Sequence, residues 1–159
     1  MKTFTKLTAI LLLVLTTTSC FVDGLTGIKG NGEVVSEDRT INSNFNEIKV
    51  QQGIQVFLTQ GNSTELKVEA DENIIDLLIT EVKDNELKIY FEKNVNKAKS
   101  RNVYLTANEI SKIRTSSGAM IKTENTLETN TLELDSSSGS SIKVTVNANE
   151  ISSSSSSGA

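Results

Sequence analysis

From Glu33 onward, apolar and polar residues alternate with a period of two along most of the chain. Such alternation is typical of β-strands that bury one face and expose the other. Turn-forming residues, such as Gly61-Asn62 and Asp84-Asn85, separate the alternating segments. The sequence therefore predicts an all-β domain of short strands. Their apolar positions are Ile48 and Val50; Ile54, Val56 and Leu58; Leu66, Val68 and Ala70; Leu87, Ile89 and Phe91; Val103 and Leu105; Leu132 and Leu134; and Ile142, Val144 and Val146.

One segment departs from this alternation. Asp71 precedes the residues ENIIDLLI, in which the apolar residues follow helical spacing. We expect a short amphipathic helix there, with Asp71 as its N-cap residue. A helix this short is not stable alone, so it should pack against the strands.

The chain also contains a repeat that is aligned on glycine. The copies are QGIQVFL from Gln52, SGAMIKT from Ser117, SGSSIKV from Ser138 and SGA from Ser157. The later glycines are 21 and 19 residues apart, whereas the first copy lies 65 residues before the second. A period near 20 residues with short strands is typical of one coil of a β-solenoid, which buries its apolar edge only when coils stack. We expect the glycines to occupy coil turns with positive φ, a structural role. They are Gly53, Gly118, Gly139 and Gly158.

The Ser-rich end of the chain allows two interpretations. Serine-rich segments are often flexible linkers, and residues 152–157 alone would suggest disorder. The alternation in IKVTVNANEI and the spacing of the glycines favour the solenoid up to about residue 150. The sequence stops at Gly158-Ala159, where another strand is expected, and no polar cap is visible. We therefore expect the domain to be incomplete at its C-terminus.

The N-terminus has the pattern of an export signal. A basic start is followed by an apolar run from Leu7 to Leu15, too short to span a membrane, and by the small residues TTTS before Cys20. The stretch resembles a bacterial lipoprotein signal, although Thr17 stands where Leu is usual. This resemblance implies a signal peptide over residues 1–19 and lipid attachment at Cys20; a secreted chain with a free cysteine is the alternative. Gly-rich residues 20–32 are interpreted as a flexible tether, followed by the head domain over residues 33–159.

Composition and charge exclude several classes of function. The chain has no His, so Ser-His-Asp and Cys-His catalysis and His-based zinc sites are excluded, and a single Cys cannot form a thiolate cluster. The net charge is −4, and it becomes −6 once Lys2 and Lys6 leave with the signal peptide. This charge argues against a nucleic-acid partner and against electrostatic binding to an anionic membrane. The segment EKNVNKAKSR from Glu92 is interpreted as a solvated basic loop, with acidic glycans as an alternative ligand.

Three stretches carry a family resemblance: GNGEVVSEDRTI, FNEIKVQQGIQVFLTQGNSTELKVEADENI and VKDNELKIYF. From about Gly30 to its end, the chain resembles the family called "putative autotransporter adhesin, head GIN domain". The Gly-Ile-Asn motif would fall on Gly53, Ile54 and Gln55, with Gln in place of Asn. The resemblance implies a right-handed parallel β-helix on an exported protein, with the short helix predicted above as an insertion. It also implies a function in adhesion. The family supplies no catalytic residues to carry over.

These observations predict a lipid-anchored interaction module of the cell envelope, an adhesin that binds a surface or polysaccharide ligand. We expect an outer-membrane lipoprotein without catalytic residues, cofactor or metal. Open strand edges would also allow self-association into a homo-oligomer. A periplasmic structural or envelope-sensing role is a second hypothesis. A polysaccharide lyase or hydrolase is a third, since β-helices host such enzymes. It is disfavoured, because Asp71, Glu72 and Asp76 coincide with the predicted helix start and the arginines, Arg39, Arg101 and Arg114, are widely spread.

Overall fold

A computed structural model describes residues 27–41 and 43–159. The predicted signal peptide and Cys20 lie outside the described residues. The described chain is almost entirely β-structure, as the alternation of apolar residues predicts. The strands are β1 Ile28–Lys29, β2 Val34–Arg39, β3 Glu47–Val50, β4 Gln55–Gln60, β5 Glu65–Asp71, β6 Leu78–Lys83, β7 Glu86–Phe91, β8 Val95–Lys97, β9 Arg101–Ala107, β10 Lys112–Thr115, β11 Met120–Thr123, β12 Leu127–Ser137, β13 Ser141–Lys143 and β14 Val146–Ser156, and a 3₁₀ helix, η1, spans Glu72–Leu77.

The strands form two six-stranded sheets and one two-stranded sheet. Sheet I has the order β14-β12-β10-β3-β7-β6, sheet II has the order β13-β11-β4-β9-β5-β2, and β1 pairs with β8. Most neighbours are parallel, but β6 with β7, β5 with β9, and β2 with β5 are antiparallel. Each sheet is therefore parallel at one end and antiparallel at the other.

The prediction of a right-handed parallel β-helix is wrong. The strands form two mixed sheets in a sandwich-like arrangement, without a closed solenoid. The physical reason lies in the 65 residues between Gly53 and Gly118, where the chain reverses its direction. Asp84 and Asn85 have φ of 53° and 67° and close a tight hairpin between β6 and β7. Antiparallel strands produced in this way cannot belong to a β-helix, in which all strands run parallel.

The register of the parallel strands agrees with the glycine-based alignment of the repeats. In sheet I, Ile113 of β10 lies between Ile48 of β3 and Leu134 of β12. In sheet II, Ile121 of β11 lies between Val56 of β4 and Ile142 of β13. Each of the first three repeats thus contributes one strand to each sheet, and equivalent apolar residues stack in rows.

The repeat glycines occupy tight turns in which two successive residues have positive φ. Such a pair of conformations is typical of a type I′ turn, where glycine is favoured because it has no Cβ to clash. In each pair of adjacent turns, the glycine N–H of one turn donates to the carbonyl preceding the glycine of the next. The φ values are 69° at Gly53, 73° at Gly118, 67° at Gly139 and 75° at Gly158. The donor–acceptor distances are 3.0 Å from Gly53 to Ser117, 3.1 Å from Gly118 to Ser138 and 3.2 Å from Gly139 to Ser157.

The Ser-rich end is a strand and not a linker. Residues 152–156 belong to β14 and pair in parallel with residues 133–137 of β12. The flexible-linker interpretation is therefore wrong for these residues. Backbone pairing explains the order, because it requires no apolar side chain from the added strand.

The predicted helix forms as a single short 3₁₀ segment, η1, which buries Ile74 and Ile75 against the strands. Asp71 occupies the position before it, but its side chain makes no capping hydrogen bond. That part of the prediction is wrong because the carboxylate binds other backbone groups. Its Oδ1 accepts from the N–H groups of Lys99 and Ser100, both at 2.9 Å, and its Oδ2 accepts from Gly32 at 2.8 Å.

Asp71 thus joins the N-terminal segment to the loop that precedes β9. Beside it, β1 pairs with β8, and the Gly30 N–H donates to the Lys97 carbonyl at 2.6 Å. A Cβ at Gly30 would overlap the Asp71 carboxylate, which requires glycine at this close approach. The hydrogen-bonded structure therefore begins before Glu33, the predicted first residue of the domain.

The hydrophobic core lies between the facing sides of the two sheets. It contains most of the inward positions predicted from the alternation, and Phe91, Ile113 and Leu127 are among its largest fully buried side chains. The predicted positions near the C-terminal end are only partly buried against it: Leu134, Ile142, Val144 and Val146. Among the described residues, no helix is long and apolar enough to cross a membrane.

Candidate binding face on sheet II

The outer face of sheet II carries a row of side chains that crosses all six strands. Strand register places them side by side, one from each strand. The four central side chains point outward, because buried residues flank each of them along its strand, and register places the two outermost on the same face. In strand order the row is Lys143, Lys122, Phe57, Tyr104, Lys67 and Asp38.

Two aromatic rings form the centre of this row. Phe57 of β4 and Tyr104 of β9 are direct neighbours, with ring centroids 5.1 Å apart and an interplanar angle of 15°. This is a stacked arrangement of the kind that aromatic pairs favour. Tyr104 is 40% exposed, and Phe57 is half-buried. The pair therefore leaves apolar aromatic surface open to solvent on this sheet face.

An open cleft of about 590 Å³ lies over the aromatic pair. Its lining includes Thr40 and Ile41 from the segment after β2, and the hydroxyl-bearing Thr59 and Thr106 from the two strands that carry the rings. Glu65, Lys67 and Glu124 supply charged groups at the cleft. The cleft combines exposed aromatic surface with several hydrogen-bonding groups, a composition typical of small-molecule sites.

Three of the charged residues at or beside the cleft, Lys122, Glu124 and Arg39, are already engaged. Lys122 forms an ion pair with Glu124 at 3.0 Å. Arg39 donates to the carbonyls of Leu78 and, at 3.0 Å, of Ile75, so its guanidinium bridges β2 to the end of η1 and the start of β6. Lys67 makes no ion pair within residues 27–41 and 43–159, which leaves its ammonium group available to a ligand.

The outer face of sheet I is different, because its charges compensate one another. Arg114 bridges Glu47 at 2.6 Å and the buried Glu86 at 2.7 Å. Lys112 binds Glu133 at 2.6 Å, and this hydrogen bond raises the pKa of Lys112. Internal pairing of this kind leaves few groups free for a partner. Sheet II is therefore the better candidate for binding.

The acidic cluster considered for a lyase or hydrolase does not form a site. Asp71 is buried and bound by three backbone N–H groups, whereas Glu72 and Asp76 are exposed. Within the described part of the chain, no three His, Cys, Asp or Glu side chains are placed to hold a metal ion. The arginines are also separated, since Arg39 bridges β2 to η1 and Arg114 lies on sheet I.

Sequence analysis missed the aromatic pair, although a signal for it was present. Phe57 lies between Val56 and Leu58, and Tyr104 lies between Val103 and Leu105. Both aromatics therefore occupy the polar, outward phase of the alternation. Of the predicted site residues, the four glycines lie in turns away from this face, and Cys20 is outside the described residues.

Comparison with known proteins identifies the family and the fold. Residues 44–159 match the family model described as "Putative auto-transporter adhesin, head GIN domain". No match was found among curated proteins. A crystal structure of a "putative adhesin" from Bacteroides fragilis is similar with a TM-score of 0.74 and 22% identity, over 81% of this chain and 61% of that one.

Two structures from Parabacteroides distasonis show the same fold. One, a "putative adhesin", has a TM-score of 0.70 and 23% identity over 81% of this chain and 57% of its own. The other, a "Putative lipid binding protein", has a TM-score of 0.66 and 20% identity over 80% and 63%. The chain thus spans about three fifths of the length of these structures. Since the family model covers residues 44–159, most of the sequence, the chain belongs to the head GIN domain family of auto-transporter adhesins.

Proposed function

We propose that this protein is a lipid-anchored adhesin of the cell envelope that binds a polysaccharide on the outer face of sheet II. The observation that carries the proposal is the stacked pair of Phe57 and Tyr104, open to solvent in a cleft. Aromatic rings pack against the apolar faces of sugar rings, while neighbouring hydroxyl and charged groups bind sugar hydroxyls. Membership of an adhesin family and similarity to structures described as adhesins support this role.

The shape of the face favours a polymer over a small molecule. The cleft is open, and the row of outward side chains continues on both sides of the aromatic pair across six strands. At a strand spacing of about 4.8 Å, this row is roughly 24 Å long. A chain of several sugar units could contact it along its whole length, whereas one sugar would contact only the centre.

Replacing Tyr104 by alanine should weaken polysaccharide binding about tenfold, since one aromatic stacking surface is worth about 1 to 1.5 kcal/mol. Affinity electrophoresis of the full chain in gels that contain xylan, polygalacturonate or mucin would measure this change. Tyr90→Ala is the matched control, because Tyr90 lies on the outer face of sheet I. A chain that binds none of these polymers, or equal losses in both variants, would contradict the proposal.

Replacing Cys20 by alanine should remove the protein from the membrane fraction, because the acyl chains are its proposed anchor. Protease treatment of intact cells that carry the wild-type chain or Cys20→Ala tests both the anchor and the exposed face. Digestion of the wild-type domain on intact cells supports the adhesin. Protection until the envelope is broken would contradict adhesion and favour the periplasmic structural role.

A further inference from the structure

Four exposed lysines gather where the described chain begins. Lys29 lies on β1, Lys97 on β8, and Lys93 and Lys99 on the segments that flank β8. We call these four residues the basic edge. Within residues 27–41 and 43–159, none of them forms an ion pair.

The basic edge has a local positive charge, whereas the described domain as a whole is acidic. Residues 27–159 contain 14 basic and 19 acidic residues. Segments 27–32 and 92–101 together contain five of the basic residues and one acidic residue, Glu92. The net charge of the whole chain therefore hides a local positive surface, and it is the local charge that a nearby partner meets.

The backbone holds two of these like charges side by side. Lys29 and Lys97 are direct partners in the parallel pairing of β1 with β8. Like charges on directly neighbouring positions destabilise a sheet. The carboxylate of Asp71 holds the two segments that carry these lysines together, because it accepts hydrogen bonds from the N–H groups of Gly32 and Lys99. An anionic partner outside the protein would remove the repulsion that the fold maintains.

We propose that the basic edge rests on the anionic lipid head groups of the membrane to which the chain is attached. The proposal rests on the lipid anchor at Cys20 proposed above. Gly27 follows Cys20 by seven positions along the chain, so even a fully extended connection reaches only about 25 Å. The anchor therefore keeps the basic edge near the bilayer. The attraction acts within about 8–10 Å at physiological salt, so the lysines must approach the head groups closely.

The consequence is a preferred orientation of the domain. The basic edge shares no residue with the lining of the cleft over Phe57 and Tyr104. Contact with the membrane therefore does not use the residues of the candidate glycan face, and it limits the rotation that a lipid tether alone would allow.

Co-sedimentation with vesicles tests the proposal. The mature chain, residues 20–159 with Cys20→Ala, carries neither acyl chains nor the signal peptide. It should bind vesicles with about 30% phosphatidylglycerol in phosphatidylcholine at least tenfold better than pure phosphatidylcholine vesicles. Raising the salt to about 0.5 M should abolish this binding. Adding Lys29→Glu and Lys97→Glu should weaken it more than about 25-fold, since each lysine contributes roughly fivefold.

Lys49→Glu with Lys83→Glu is the matched control, because it changes the net charge equally at two lysines of sheet I that belong neither to the basic edge nor to the candidate binding face. If the Lys29/Lys97 variant misfolds by circular dichroism, Lys93→Glu with Lys99→Glu replaces it. Equal binding to both vesicle types, or equal losses in the control, would overturn the proposal. So would tighter binding of soluble polygalacturonate through the same lysines, which would make the basic edge a glycan site. None of these results depends on acylation or on Tyr104, so they leave the proposed adhesin function standing.

Discussion

Replacing Asp71 by alanine should lower the free energy of unfolding by about 4 kcal/mol. Asp71 is 0% exposed, and its two oxygens accept three backbone hydrogen bonds, from Gly32, Lys99 and Ser100. Each buried N–H that loses its partner costs about 1–3 kcal/mol. Urea unfolding followed by circular dichroism would measure the loss. Asp76→Ala is the control, because Asp76 is exposed and should change stability by less than about 0.5 kcal/mol.

The same carboxylate should make stability depend on acid pH. Burial raises the pKa of Asp71, but the three backbone hydrogen bonds and the nearby charge of Lys99 outweigh it, so the pKa is lowered in the folded protein. The carboxylate therefore contributes stability above its unfolded pKa of about 3.9, and this contribution is lost as pH falls through the folded value. When the pH falls from neutral to about 3, the free energy of unfolding of the wild-type protein should decrease more than that of the Asp71→Asn variant. Parallel pH profiles for the two proteins would contradict this assignment.

Replacing Ile113 by alanine should cost about 3 kcal/mol of unfolding free energy. Ile113 is 0% exposed and lies between Ile48 and Leu134 in the buried row of sheet I, so its truncation leaves a cavity with neighbours on both sides. Ile151→Ala, on β14 of the same sheet, is the matched control. Ile151 is 50% exposed, and the same truncation there should cost less than about 1 kcal/mol. Similar losses at the two positions would contradict the packing of sheet I against sheet II.

The strands and the turns could be predicted because both depend on local properties of the chain. Alternating burial, as in Val56 and Leu58, leaves a period of two in the sequence. A turn with positive φ, as at Gly118 and Gly139, favours glycine wherever it occurs. Strand direction leaves no such trace. The alternation of β5 would be the same whether its neighbours were parallel or antiparallel, and for that reason the fold class was predicted wrongly.

The candidate site and the role of Asp71 depend on residues that are distant in the sequence. Asp71 has the local pattern of a helix N-cap, but its partners Lys99 and Ser100 lie 28 and 29 residues away. Phe57 and Tyr104 meet only because β4 pairs with β9 in one particular register. Each aromatic could have been noted as an outward-facing residue on a strand. Their stacking could not be predicted without knowing which strands are neighbours.

Because a complete repeat adds one strand to each sheet, the width of the sheets can change in evolution by equal steps of one strand. Gain or loss of a repeat unit would change the width of sheet II by one strand, about 4.8 Å, beyond Lys122 and Lys143. The aromatic pair, on β4 and β9 at the other side of these strands, would keep its neighbours. Gene duplication within the repeats would thus change how long a segment of the proposed polysaccharide ligand fits along the face, while the residues at its centre stay the same.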